Sequence, residues 1–482
     1  MVEITVHDLE DACGARRVLG DAARVCAGCA IDSRLVGPGA IFVAFPGERV
    51  DGNAFAPQAI EAGAGCAVLT AEPSAETLDA ARARGCAILV TEDPTAFLLD
   101  LAAWYRARLS CTVIGVTGSI GKTTTKDVLA DLLRTRYRVH VTQGNYNNLI
   151  GLPLTVLAAP ADTEMLVLEM GMNRFHEIER LTACARPDFG IITKVGTSHI
   201  GILGSRENIA RAKAEIVSGM PASAGADPAH RSALILHGED DFADFIEREF
   251  AVPAGVDVVR CGTGEADDVR ASGLELDDEG RPGFDIDFGD GERVRARLSI
   301  PGAQSVPNAL FACALAHRLG VPAAQIGEAL GHLTVTGRRQ EVRRAACGAR
   351  IIDDSYNASP ESMAAGLDLL AALPCEGSRI AILGEMGEMG DEAPRLHALT
   401  GAYAAAKRPA LLVCVGGDNA REMADAACLM VMDEGDVQVV PSTDELIGGH
   451  ADLLGASDLV LVKGSRFVEL DRFVEEACSH AR

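Results

Sequence analysis

Val113-Ile114-Gly115-Val116-Thr117-Gly118-Ser119-Ile120-Gly121-Lys122-Thr123-Thr124-Thr125, followed by Asp127–Leu133, decides the fold of this chain. Val113–Val116 is an apolar run suited to a buried strand, and Asp127–Leu133 begins an amphipathic helix. The glycines between them let backbone N–H groups converge on phosphate oxygens, and the following helix adds its positive end. Lys122 would reach the β- and γ-phosphates, while Thr123 would present its hydroxyl to Mg²⁺. The strict phosphate-loop pattern has glycine six residues before the lysine; Val116 stands there, flanked by Gly115 and Gly118. A glycine turn without a ligand is the alternative. The order strand, loop, Gly-Lys-Thr, helix favours a bound ATP or GTP, held by Gly118, Ser119, Gly121, Lys122, Thr123 and Thr124.

Short apolar runs alternate with helical patterns on both sides of this unit, which predicts an α/β protein with mostly parallel sheets. Strands are expected at Ile41–Phe45, Val113–Val116, Met165–Glu169, Gly190–Thr193, Arg350–Asp353, Arg379–Leu383, Leu411–Val415 and Leu459–Lys463. Met363–Ala372 and Leu396–Ala406 read as crossover helices. Gly273–Ile300 alternates apolar and polar residues around Asp-Glu-Gly-Arg and Gly-Asp-Gly-Glu turns, the pattern of a small antiparallel insert. The chain has 482 residues, more than one core usually organises, so about two to four domains are expected. Boundaries near 108 and 336 divide it into 1–108, 109–336 and 337–482.

Composition narrows the function. The formal net charge is −25, and such a field repels nucleic acid and anionic membranes. Anionic substrates would then need local positive charge from Lys, Arg, Mg²⁺ or helix N-termini. Met1–His7 lacks the basic segment and apolar run of a secretory signal. No uncharged apolar stretch of about 18 residues is present, so no membrane span is expected. The 14 cysteines are scattered, mostly within apolar runs. They read as reduced, buried thiols, which places the protein in the cytoplasm. Cys26-Ala27-Gly28-Cys29 has metal spacing, but no second pair accompanies it, so a zinc site is not expected.

Ligands for a metal are suggested at the same sheet edge as the phosphate loop, because functional groups of parallel sheets collect beyond the C-terminal ends of the strands. Glu169 ends the run Met165–Leu168, and His199 follows Gly190–Thr193 after a short loop. Each alone reads equally well as structural; beside a phosphate loop the metal reading gains. In Glu207–Ser218, helical spacing puts Ile209, Lys213 and Ile216 on one face. A lysine there either snorkels its ammonium to water or stays a neutral amine, because desolvation disfavours its charge. A neutral amine can add CO₂ and become a carbamate able to hold metal.

Further stretches extend the pattern. They are Asp32-Ser33-Arg34, Ile41–Gly47 and Asp51-Gly52 near the start. In the centre stand Gly144-Asn145-Tyr146-Asn147-Asn148, Gly151–Thr155, Glu169-Met170-Gly171-Met172-Asn173, Ser198-His199, Gly204-Ser205 and Ala212–Ile216. Toward the end come Asp353-Asp354-Ser355-Tyr356-Asn357-Ala358, Leu383-Gly384-Glu385-Met386, Glu388-Met389-Gly390 and Lys463-Gly464-Ser465-Arg466. With the phosphate loop, these resemble the Mur ligase family over nearly the whole chain. The loop is shared with every member and with folylpolyglutamate synthases. The Asp-Asp-Ser-Tyr-Asn-Ala and Gly-Glu-Met…Glu-Met-Gly stretches are narrower and resemble the members that add D-alanyl-D-alanine.

The resemblance implies three domains: an N-terminal one gripping UDP, a central ATPase and a C-terminal Rossmann-like domain closing over the reaction. It implies an ATP- and Mg²⁺-dependent ligase joining D-Ala-D-Ala to UDP-MurNAc-tripeptide through an acyl phosphate, acting as a monomer on small molecules and in peptidoglycan synthesis. Position by position, it assigns Ser33 and Arg34 to the UDP-sugar, Asn357 to substrate, and Asn145, Asn308, Arg338 and Asp354 to ATP. Thr123, Glu169, His199 and a carbamylated Lys213 would hold metal, with Lys122, His199 and Lys213 serving catalysis. Four positions depart from the pattern. Gln304-Ser305 stand where His-Asn is usual, Gly201 where an acidic residue is common, and His176 where glycine is usual. The competing readings are another Mur or folate ligase, a nucleotide-dependent switch, and a dead homologue serving as scaffold.

Overall fold

A computed structural model describes residues 3–47, 50–223, 231–333, 341–449 and 453–479. Three sheets organise them. The first has five strands in the order Arg16–Leu19, Ala87–Val90, Cys66–Leu69, Ile41–Val43 and Cys29–Ala30, parallel except for the antiparallel edge strand Arg16–Leu19. Ile4–Thr5 and Val25–Cys26 form a separate antiparallel pair.

The central sheet has nine strands. Val139–Val141, Met165–Glu169, Thr112–Thr117, Phe189–Ile192, Ala233–His237, Asp257–Gly262 and Val269–Leu276 lie side by side and pair parallel. The middle four, Met165–Glu169, Thr112–Thr117, Phe189–Ile192 and Ala233–His237, pack side chains on both faces, which is why they read as near-continuous apolar runs. The first face is covered by helices such as Gly151–Ala158 and Glu177–Ala185. Lys122–Arg134 and Ser305–Arg318 cover the second. The alternating segment expected as a small antiparallel insert is antiparallel, as Val269–Leu276, Pro282–Asp287 and Arg293–Arg297, and it continues the edge of this same sheet. Parallel pairing of Cys261 with Val269 joins the two parts, which alternation alone does not reveal.

The C-terminal sheet runs Glu341–Arg344, Arg350–Asp354, Leu459–Lys463, Arg379–Gly384, Leu411–Val415 and Val437–Val440, antiparallel only at Glu341–Arg344. The two expected crossover helices are Pro360–Ala372 and Ala393–Lys407. Ser359 caps the first through Ser362 N, and Pro360 sits where a missing N–H costs nothing. The expected boundary near 336 lies outside the described residues, as does Arg338. Near 108, the chain passes from the helix Pro94–Arg106 into Thr112–Thr117.

Two of the departing positions have a backbone explanation. His176 has φ +68°, a left-handed conformation that glycine adopts without strain. Gly201 lies so close to the C-terminal domain that a Cβ would fall 2.3 Å from Gly390 N.

Lys126 ties the phosphate-loop helix to its sheet. Only 2% of its side chain is exposed; it lies 2.6 Å from Asp127 Oδ1 and donates to the Thr142 carbonyl at 2.8 Å. Truncation removes the ammonium beside a mostly buried carboxylate, so Lys126→Ala should lose about 3 kcal/mol of stability. Urea unfolding measures this; a loss below about 1 kcal/mol would show that Asp127 is satisfied without it.

Candidate functional site

Strand register assembles the site. Val116 pairs with Glu169, and Thr117 with Ile192, so three neighbouring strands end together at one edge. The chain leaves the first of them through Gly118, φ +146°, and Gly121, φ +84°. A Cβ on Gly118 would meet Thr193 Oγ1 at 1.9 Å, and one on Gly121 would meet Asn308 Oδ1 at 2.1 Å. Val116 is fully buried in the strand, so the turn begins after it and glycine there is unnecessary. The helix Lys122–Arg134 has Gly121 as its N-cap and no side-chain cap bond. Its first N–H groups are therefore open to an anion. Lys122 Nζ donates to the Gly118 carbonyl at 2.8 Å, which curls the ammonium back over the loop.

Glu169, 2% exposed, accepts from Thr123 Oγ1 at 2.7 Å and from Asn147 Nδ2 at 2.8 Å. A hydroxyl and a carboxylate side by side are the hard oxygen donors that suit Mg²⁺ alongside phosphate oxygens. Among the described residues no three His, Cys, Asp or Glu side chains gather as a metal cluster. The donor set thus fits an ion that shares its shell with ATP and water.

His199 opens the short helix Ile200–Leu203 with φ +67°. Its Nδ1 lies 2.6 Å from Glu388 Oε2, at ion-pair distance but without hydrogen-bond alignment. The imidazole holds the Glu388 carboxyl below its ordinary range. Lys213 stands on the helix Arg206–Ala214, whose N-terminus Ser205 caps through Asn208 N. Ile209 and Ile216 are fully buried and Lys213 is 2% exposed. Burial, with a further contribution from Lys122, pushes its amine well below the usual lysine range. Among the described residues no hydrogen bond or ion pair is made to it, and at 2% exposure its stem does not snorkel to water.

These groups open on one cavity of about 640 Å³. Ser119, Gly121, Lys122, Thr123, Thr124, Asn145, Glu169, His199, Lys213 and Asn308 line it from the central domain, and Asp354 and Asn357 from the C-terminal one. Asp354 and Lys463 end adjacent strands in register and pair at 2.7 Å. Lys463 Nζ also donates to the Asn357 carbonyl at 2.9 Å. Gln304, one of the departing residues, is on the wall as well.

Ser33 and Arg34 lie elsewhere, after the edge strand of the N-terminal sheet. Ser33 Oγ donates to Gln58 Oε1 at 3.0 Å, while Arg34 forks onto Asp32 and remains 80% exposed. The lone Cys26/Cys29 pair consists of free thiols on different strands, pushed up to about 11 and about 12 by burial. Sequence reasoning missed Thr193, Lys194, Glu361 and Ser362 on the cavity wall, and the contact of Glu388 with His199. The partners of Glu361 and Glu388 belong to another domain, which no local pattern announces.

Residues 116–316 match the Mur ligase middle domain, 337–466 the Mur ligase glutamate ligase domain, and 26–106 the Mur ligase family catalytic domain. The UDP-N-acetylmuramoyl-tripeptide–D-alanyl-D-alanine ligase of Bacillus subtilis is 35% identical over 451 residues, covering 93% of this chain and 92% of its own. That of Mycobacterium tuberculosis strain H37Rv is 36% identical over 440 residues, covering 86% and 84%. Crystal structure I of MurF from Acinetobacter baumannii superposes with a TM-score of 0.86 at 28% identity, over 100% of both chains. The Thermotoga maritima MurF ligase in complex with ADP gives 0.77 at 27%, covering 93% of this chain and 96% of that one. With its three matched domains and near full-length relatives, this chain belongs to the Mur ligase family.

Proposed function

We propose that the chain joins D-alanyl-D-alanine to UDP-N-acetylmuramoyl-tripeptide at the expense of ATP, giving UDP-N-acetylmuramoyl-pentapeptide for peptidoglycan synthesis, with ADP and phosphate. The reading is carried by a phosphate-binding cavity whose opposite wall comes from the C-terminal domain, in a chain that matches ligases of that name over most of its length. The domain division 1–108, 109–336 and 337–482, monomeric action and a cytoplasmic location are part of this proposal. Among the described residues no helix is long and apolar enough to cross a membrane.

The residues support an activation-and-capture reaction. The tripeptide carboxylate attacks the γ-phosphorus of ATP, releasing ADP and forming an acyl phosphate. The dipeptide amine then attacks the acyl carbon, loses a proton, and expels phosphate from the tetrahedral intermediate. Phosphoryl transfer is mainly positioning and charge neutralisation. Gly118, Ser119, Gly121 and Thr124 direct the loop and helix N–H groups at the phosphates, and Lys122 supplies the fixed charge. Thr123, Glu169, His199 and Lys213 are assigned to hold Mg²⁺, which when bound neutralises charge on the transferred phosphoryl group. Asn145 and Asn308 are assigned to the nucleotide, as are Asp354 and Arg338, Ser33 and Arg34 to the UDP-sugar, and Asn357 to substrate. The acyl phosphate must be shielded from water, and the two-domain cavity serves that purpose.

Lys213 is assigned a carbamate. A neutral amine adds CO₂ through its nitrogen lone pair and releases one proton, leaving a negatively charged carbamate. The desolvated, unpaired amine favours that chemistry. Lys213→Ala should then lose most activity, and added acetate or bicarbonate should restore part of it; a fully active variant would remove this role. For the reaction itself, phosphate release from Mg²⁺-ATP should require both UDP-MurNAc-tripeptide and D-Ala-D-Ala, with the pentapeptide mass appearing. Release indifferent to either would point to a switch, and turnover with a single amino acid to a sibling ligase.

A further inference from the structure

Glu361 and Glu388 both belong to the C-terminal domain, yet both reach one short segment of the central domain, Gly196–Gly201. Glu361, in the first turn of Pro360–Ala372, accepts from Thr197 N at 2.8 Å and from Thr197 Oγ1 at 3.1 Å. Glu388 meets His199 at 2.6 Å, and its carbonyl accepts from Gly201 N at 3.2 Å. Between them, Ile200 packs against the cores of both domains.

The far ends of these contacts are fixed. Glu385 Oε1 accepts from Gly417 N at 3.0 Å and from Ala420 N at 3.2 Å. Met386 N donates to His397 Nε2 at 2.8 Å, and Gly387 N to Ser465 Oγ at 2.8 Å. The loop that presents Glu388 is thereby pinned one residue at a time. Glu388 itself has φ +64°, facing His199 at φ +67°. Two non-glycine residues held left-handed across one interface mark a place where the surroundings dictate the backbone.

On the other side, the gripped segment is bonded to the phosphate loop. Ser119 N donates to the Lys194 carbonyl at 2.7 Å, and Gly196 N donates to Ser119 Oγ at 2.9 Å. A displacement at Thr197 or His199 is therefore one or three residues from Gly196, which is bonded to the loop that holds the phosphates.

We propose that Glu361 and Glu388 are positioning residues: docked on Gly196–Gly201, they transmit closure of the C-terminal domain to the phosphate loop through Ser119 and to the metal site through His199. The phosphates can then be held by the central domain's loop before Asp354 arrives with the second domain, while phosphoryl transfer waits for that arrival. This inference rests on the ligase reading for its meaning in catalysis, but not for its geometry.

Gly201 provides a selective test. It lies in the helix Ile200–Leu203 with an ordinary backbone, and the nearest atoms to an added Cβ are Gly390 N at 2.3 Å, Gly390 Cα at 2.7 Å and Met389 C at 2.7 Å. All three belong to the C-terminal domain, so the methyl obstructs docking and little else. Gly201→Ala should keep its ADP affinity within about threefold, lower kcat about 100-fold as expected of a misplaced reacting group, and show a larger radius of gyration by small-angle X-ray scattering with ADP bound. The double variant Glu361→Gln/Glu388→Gln, which adds no bulk, should move kcat and scattering in the same direction by less. Unchanged kcat and scattering in both would overturn the proposal. So would a loss of ADP affinity that accounts for the whole loss of rate. ADP binding and scattering use no peptide substrate, so a failure of the ligase reading leaves this test intact.

Discussion

The turn between Thr117 and Lys122 is the constraint on which the site depends. It must pass close enough to Thr193 and Asn308 that no Cβ fits at Gly118 or Gly121. The tightness turns the next helix so that its unsatisfied N–H groups point along the sheet edge. Any side chain at those positions would push the loop away from the neighbouring strand and tilt the dipole that an anion requires. The same approach lets Thr193 Oγ1 donate to the Ile120 carbonyl and Ser119 N to the Lys194 carbonyl. One small turn thus fixes both the phosphate cradle and its connection to the segment that the C-terminal domain touches.

Burial then divides the chemistry among three side chains. Glu169 is kept in place by Thr123 and Asn147, so its carboxylate has fixed partners and a fixed direction. Lys122 starts its helix and bends back to the loop, where its charge faces the cavity. Lys213 sits among apolar neighbours with no carboxylate offered to it among the described residues, and desolvation lowers its proton affinity. Two lysines on one cavity thus meet opposite surroundings: Lys122 is bonded to the loop, while desolvation disfavours the charged form of Lys213.

Much of this was legible from the chain. Met165–Glu169, Leu411–Val415 and Leu459–Lys463 are observed with the expected bounds, because strands covered on both faces must be apolar throughout. The spacing of Ile209, Lys213 and Ile216 placed Lys213 on an apolar face, while leaving open whether its ammonium reached water. Other features depend on contacts that no local pattern announces. The antiparallel strands after Val269 alternate as a free-standing insert would, and only their pairing with Asp257–Gly262 reveals the shared sheet. Gly201 reads as a missing acid; the space it lacks belongs to Gly390, 189 positions later in the numbering. Glu388 reads as part of the Glu-Met-Gly stretch, and only the fold places His199 opposite it.

That acidity gives the local arrangement its final requirement. A chain of net charge −25 must bind a nucleotide triphosphate and a carboxylate in the same cavity. Lys463, at the far wall, is already matched by Asp354, and Lys213 is held away from its charged form. Conversion of Lys213 to a carbamate would add a second negative group beside Glu169. An arrangement of this kind repels ATP unless a divalent cation accompanies it. The Thr123–Glu169 pair, the desolvated amine and the open helix terminus therefore make sense together as a site for ATP carrying Mg²⁺, in which metal and nucleotide each supply what the other needs to enter.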